Sequence, residues 1–101
     1  MLKETILIID DEAFIRENVQ RILSEDGYRV LEAASGSEAL ELAAGDEVDL
    51  ALLDLNLGTE NGLSVLEALK EANPELLVII IPATVQWKRR WMPSNWVPSI
   101  T

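Results

Sequence analysis

Apolar residues in this chain fall into four short runs, Thr5–Ile9, Arg29–Ala33, Leu50–Leu53 and Leu77–Ile81, with stretches of helical spacing between them. The first, third and fourth are nearly unbroken Ile, Leu and Val, as expected of strands buried on both faces. Between the first two, Glu12–Ser24 places Ile15, Val19, Ile22 and Leu23 on one helical face and Arg16, Glu17, Gln20 and Arg21 on the other. Gly27 stands where a left-handed cap would end that helix. Ser35 followed by Glu38 is a capping box, opening a helix that runs to about Ala44. A loop from Asp54 to Asn61 leads into a helix over Gly62–Ala72, with Leu63, Leu66 and Leu69 inward and Asn73-Pro74 as its stop.

This alternation predicts an α/β fold, a doubly wound parallel sheet covered by helices on both faces. Right-handed crossovers bring the C-terminal ends of the strands to one edge, where open sheets of this kind bind ligands. Asp10 and Asp11 follow the first strand, and Asp54 follows the third. Two carboxylates ~4 Å apart repel by roughly 4 kcal/mol at an effective dielectric near 20, so a fold that gathers them there calls for a cation. All-oxygen ligation suits a hard divalent ion such as Mg²⁺. Taken singly, Asp10 or Asp11 serves equally well as a helix cap, Glu12 as a partner for the helix dipole and Asp54 as a turn residue. A pair after one strand and a single Asp after another is what those local roles do not predict.

Composition narrows the chemistry. With 101 residues, 49% of them hydrophobic, one small domain is expected. No apolar run is long enough for a membrane span, and the opening Met-Leu-Lys-Glu-Thr is not a signal peptide, which fits a cytoplasmic protein. The absence of Cys and His excludes disulfides, thiolate or imidazole ligands, and Ser-His or Cys-His nucleophile pairs. A net charge of −10 argues against direct binding to nucleic acid.

The residues Ile-Leu-Ile-Ile-Asp-Asp-Glu at 6–12, Gly36 with Ala39 and Leu40, and Asp49–Leu55 continuing to Gly62 resemble the receiver domains of bacterial two-component response regulators. The resemblance covers residues 4–81 and implies a flavodoxin-like sheet. It also implies that Asp54 accepts a phosphoryl group, while Asp10 and Asp11 hold Mg²⁺, one directly and one mainly through water. Asn56 would add its backbone carbonyl to the metal, whose ligands then include Asp54. The implied partners are a sensor histidine kinase as donor, or a small phosphodonor, and an output domain or regulator. The family usually carries Pro four residues after the acceptor, where this chain has Gly58. An enzyme of the haloacid-dehalogenase type is the weaker reading, because it needs a second Asp two residues after the first and position 56 is Asn.

The chain changes character after Ile81. Residues 1–81 hold all 18 acids and five of the eight basic residues, a net charge of −13, whereas residues 82–101 hold three basic residues and all three tryptophans. The resemblance implies a switch Ser or Thr at position 82 and a later Lys; Pro82 and the tail supply neither. Residues 82–101 are therefore expected to be a non-family tail that leaves the sheet incomplete at its C-terminal edge. A basic, aromatic patch and a cover for the sheet edge are alternatives for it. Out-of-frame translation is the favoured one, since single-codon Trp and Met force shifted residues at Trp87, Trp91, Met92 and Trp96 into Glu-x-x-x-Asp-Ala-x-x-Leu-Gly, a receiver-like helix. Leu77–Ile81 would then be an apolar edge strand, inviting a homodimer. The competing functional class is a pseudo-receiver that pairs through this edge without phosphorylation.

Overall fold

The computed structural model describes residues 4–45, 47–57 and 60–81. The readings placed on Gly58 and on residues 82–101 lie outside them. In chain order the elements are β1 (Thr5–Ile9), α1 (Ala13–Glu25), β2 (Arg29–Ala33), α2 (Gly36–Gly45), β3 (Leu50–Asp54), β4 (Asn56–Leu57), β5 (Glu60–Asn61), α3 (Gly62–Ala72) and β6 (Leu77–Ile81). Four strands form one parallel sheet in the order β2-β1-β3-β6, and β4 and β5 form a small antiparallel hairpin. The architecture is the flavodoxin-like α/β fold, with β1 and β3 as its central strands.

Because successive strand residues face opposite sides, each central strand feeds two apolar layers. Leu7, Ile9, Ala51 and Leu53 point into the larger layer and are buried with Ala39 of α2 and Val65 and Leu69 of α3. Burying each such Leu or Ile is worth roughly 1.5–3 kcal/mol. Ile6 and Ile8 face the other way, where α1 packs across β1 and β2 and buries Ile15.

The helix ends have identifiable chemical causes. Gly27 closes α1 with a φ of 95°, the left-handed conformation expected of it. Ser35 Oγ accepts from Glu38 N–H at 3.2 Å, and Glu38 Oε1 reaches back to Ala34 N–H at 2.7 Å, one residue before the cap itself. Asn61 Oδ1 caps α3 through Leu63 N–H at 2.9 Å, and α3 ends at Asn73.

Two expected core residues are on the surface. Leu63 is 54% exposed, because the buried stripe of α3 runs through Gly62, Val65 and Leu69 and Leu63 lies about 100° around the helix from it. Ile22 is 45% exposed, because α1 covers β1 and β2 and no other described element covers β3 and β6 on that face. For the same reason Leu77 and Ile79 of β6 are 67% and 51% exposed.

Candidate metal and phosphoacceptor site

β1 and β3 run side by side with Ile9 opposite Leu53, so Asp10, just past the end of β1, and Asp54, the last residue of β3, come out at the same edge. Adjacent strands lie ~4.8 Å apart, which makes these two acids lateral neighbours. Both are almost entirely buried, Asp10 at 2% and Asp54 at 1% exposure.

The β1–α1 turn is fixed by its own hydrogen bonds. Asp10 N–H donates to the Ala33 carbonyl at 3.1 Å, extending the β1–β2 ladder by one residue. Asp10 Oδ1 accepts from Glu12 N–H at 2.9 Å, so the local turn-forming role open to this residue is filled alongside its place at the edge. Arg16, expected on the outer face of α1, folds back so that its Nη1 donates to the Asp10 carbonyl at 2.7 Å. Its Nε lies 3.5 Å from Glu32 Oε1 on β2. The turn presents Asp10, Asp11 and Glu12 with carboxylate oxygens within 4.8 Å of one another. Glu12 belongs to this group although the sequence suggested only a dipole partner; the unbroken Asp-Asp-Glu run was the signal. Asp54 stands outside that trio, on the neighbouring strand.

The segment after Asp54 was expected to be a loop and is partly a hairpin. Leu55 N–H donates to the Ile81 carbonyl at 3.2 Å, continuing the β3–β6 ladder past the acid. Asn56 then pairs with Asn61, and Leu57 with Glu60. Gly62 begins α3 against the backbone of Leu55: a Cβ on it would lie 2.7 Å from Leu55 Cα and 2.9 Å from the Leu55 carbonyl oxygen. No side chain fits there unless the residue beside Asp54 moves. Gly62→Ala is accordingly expected to lose about 1–3 kcal/mol of stability, measured by urea denaturation.

The donor set is wholly oxygen, which fits a hard cation such as Mg²⁺ or Ca²⁺ and not a soft one. Two oxygens bound to Mg²⁺ at ~2.1 Å lie at most ~4.2 Å apart, so the 4.8 Å span of the trio is met by small side-chain rotations or by water completing the shell.

A scan against protein families matches residues 6–90 to the response regulator receiver domain. The chain belongs to that family. This receiver domain is 34% identical over 83 residues to sporulation initiation phosphotransferase F of Bacillus subtilis, covering 82% of this chain and 67% of that protein. It is 37% identical over 78 residues to the response regulator MprA of Mycolicibacterium vanbaalenii, covering 77% of this chain but 34% of that protein. Among solved structures, a Burkholderia pseudomallei response regulator with a phosphorylated aspartic acid, a calcium ion and citrate superposes with a TM-score of 0.77 at 29% identity. That match covers 82% of this chain and 49% of the Burkholderia chain. Among the described residues of this receiver domain, no helix is long and apolar enough to cross a membrane.

Proposed function

We propose that Asp54 is the phosphoacceptor of a two-component phosphorelay. Its carboxylate oxygen would attack the phosphorus of a phosphohistidine on a sensor histidine kinase. The phosphorus–nitrogen bond then breaks, its electron pair returns to the imidazole, and an aspartyl phosphate remains. The observation that carries this reading is the pairing of two buried acids, Asp10 and Asp54, at the ends of adjacent parallel strands beside Asp11 and Glu12. Asp10, Asp11, Asp54 and the Asn56 backbone carbonyl would hold Mg²⁺, which when bound offsets the charge between carboxylate and phosphoryl group. The parallel ladders on both sides of β1 and β3 keep the acids oriented, and Leu53 and Ile9 beneath them keep water out from below.

Output is proposed to be impaired, because Pro82 stands where the family carries the switch hydroxyl and no Lys in residues 82–101 takes the place of the phosphoryl-pairing one. The second reading, a pseudo-receiver that pairs through β6, is favoured by the place of this strand at the end of the sheet among the described residues, with Leu77 and Ile79 exposed. Beryllofluoride, which mimics a phosphoryl group on Asp, separates the two. Mg²⁺-dependent binding followed by ¹⁹F NMR is expected for the wild type and lost in Asp54→Ala. Equal binding by Asp54→Ala, or none by the wild type, rejects the phosphoacceptor role.

A further inference from the structure

Glu60 lies on β5, two residues before α3, yet its carboxylate is spent on a different element. Oε1 and Oε2 both accept from the Gly36 N–H, at 2.9 and 3.1 Å. Gly36 is the first residue of α2, so this N–H is one that helix geometry leaves without an intrahelical partner. A carboxylate at that end is favoured twice, by a charge-assisted hydrogen bond and by the helix dipole. The contact also depends on Gly36 having no side chain: a Cβ there would lie 2.7 Å from Glu60 Oε2 and 2.6 Å from Val65 Cγ2.

The far end of the clasp leads to the candidate site. Glu60 pairs with Leu57 and the next residue, Asn61, pairs with Asn56, so whatever fixes β5 fixes the Asn56 backbone as well. Asn61 is simultaneously the cap of α3, and Gly62 presses on Leu55 beside Asp54. Between the end of β3 and the start of α3, the Glu60 carboxylate is the one charged anchor among the described residues to a separate element of the fold.

We infer that Glu60 is a positioning residue for the phosphoacceptor site, holding the paired β4 and β5 to the N-terminus of α2 and so setting where the Asn56 carbonyl stands. This rests on the assignment of the metal to Asp10, Asp11, Asp54 and Asn56. Glu60→Gln keeps one oxygen acceptor for Gly36 N–H and loses the charge and the second acceptor; Glu60→Ala loses all three. Gly36→Ala attacks the same contact from the other side, and because its Cβ also meets the buried Val65 Cγ2 it is expected to lower the midpoint as well.

The test is Mg²⁺ titration of the full chain, followed by calorimetry, with the initial rate of phosphorylation by acetyl phosphate at saturating Mg²⁺ and the thermal midpoint as parallel readouts. Glu60→Ala is expected to raise the Mg²⁺ Kd about tenfold, the lower end of the loss seen when a group supporting a metal ligand is removed. Glu60→Gln should recover part of that loss, and Gly36→Ala should reproduce it. A lower midpoint with unchanged Kd in all three variants makes Glu60 a purely structural cap and overturns the inference. Because Mg²⁺ affinity is read without phosphorylation, failure of the wild type to capture beryllofluoride would reject Asp54 as acceptor while the titration still decides the role of Glu60.

Discussion

Asp10→Asn is expected to weaken Mg²⁺ binding by about ten- to a hundredfold and, at the same time, to raise the melting temperature of the metal-free protein. The two effects have one cause. Asp10 and Asp54 are 2% and 1% exposed at the ends of neighbouring strands, and like charges separated by about one strand spacing, ~5 Å, would repel by roughly 3 kcal/mol at an effective dielectric near 20. Without metal that repulsion would work against the folded state; a bound cation would turn it into affinity. Asn is nearly isosteric and its carbonyl oxygen can still accept the Glu12 N–H that Asp10 Oδ1 holds at 2.9 Å, so the turn survives the substitution. Removing one charged ligand interaction, ~1.5–3 kcal/mol, gives the affinity loss. Relief of the repulsion should gain about 1 kcal/mol or more, and each such increment moves the midpoint by about 4–8 °C in a domain of this size. Melting curves with chelator and with saturating Mg²⁺ check both halves, since only the wild type gains strongly from the metal through mass action. A lower metal-free midpoint for Asp10→Asn would mean that the two acids do not oppose each other.

Leu7→Ala should be the most damaging of the core truncations. Leu7 is fully buried in the middle of β1, in register with Leu31 of β2 on one side and Ala51 of β3 on the other. Its side chain enters the layer beneath α2 and α3, where loss of a Leu side chain leaves a cavity and typically removes 2–5 kcal/mol. Against a total stability of about 5–15 kcal/mol, that is a large fraction, and the midpoint should fall by at least ~10 °C. Ile79→Thr on the 51% exposed outer face of β6 is the matched control and should change stability by less than ~0.5 kcal/mol. Urea denaturation of both variants decides the matter: equal losses would place the core elsewhere than beneath α2 and α3.

The strands were legible in the chain because each is a short apolar block bounded by residues with a local job. Thr5–Ile9, Arg29–Ala33 and Leu77–Ile81 stand as read, and Leu50–Leu53 extends by one to take in Asp54, which pairs with Ile81. Gly27, Ser35, Glu38 and Asn73 marked helix ends correctly because capping is decided within a few residues. What could not be read depends on which segments become neighbours. Leucine spacing alone favoured Leu63 over Val65, although the sheet sees the stripe through Val65 and Leu69. Ile22 has the right period and faces a part of the sheet that no described helix covers. The bond from Thr5 N–H to Asp49 Oδ2 at 2.8 Å, and the clasp of Glu60 on Gly36, join residues 44 and 24 positions apart and leave no local trace. Of the candidate site, Asp10, Asp11 and Asp54 were singled out by their position after strands. Glu12 did not, because an acid in the first turn of a helix already has an ordinary explanation.

The strand order also bears on how the molecule assembles. β1 pairs with β2 across 24 residues (Thr5 with Arg29) and β3 with β6 across 27 (Leu50 with Leu77), so each half of the sheet can close on its own loop. Joining the halves requires β1 to meet β3 across 44 residues, Ile6 with Leu50, the longest closure in the sheet and the slowest to be repaid by contacts. Asp10 arrives with the first half and Asp54 with the second. No folding intermediate with only one half in place can bring them together, so the proposed site is withheld until the chain has committed to its complete topology.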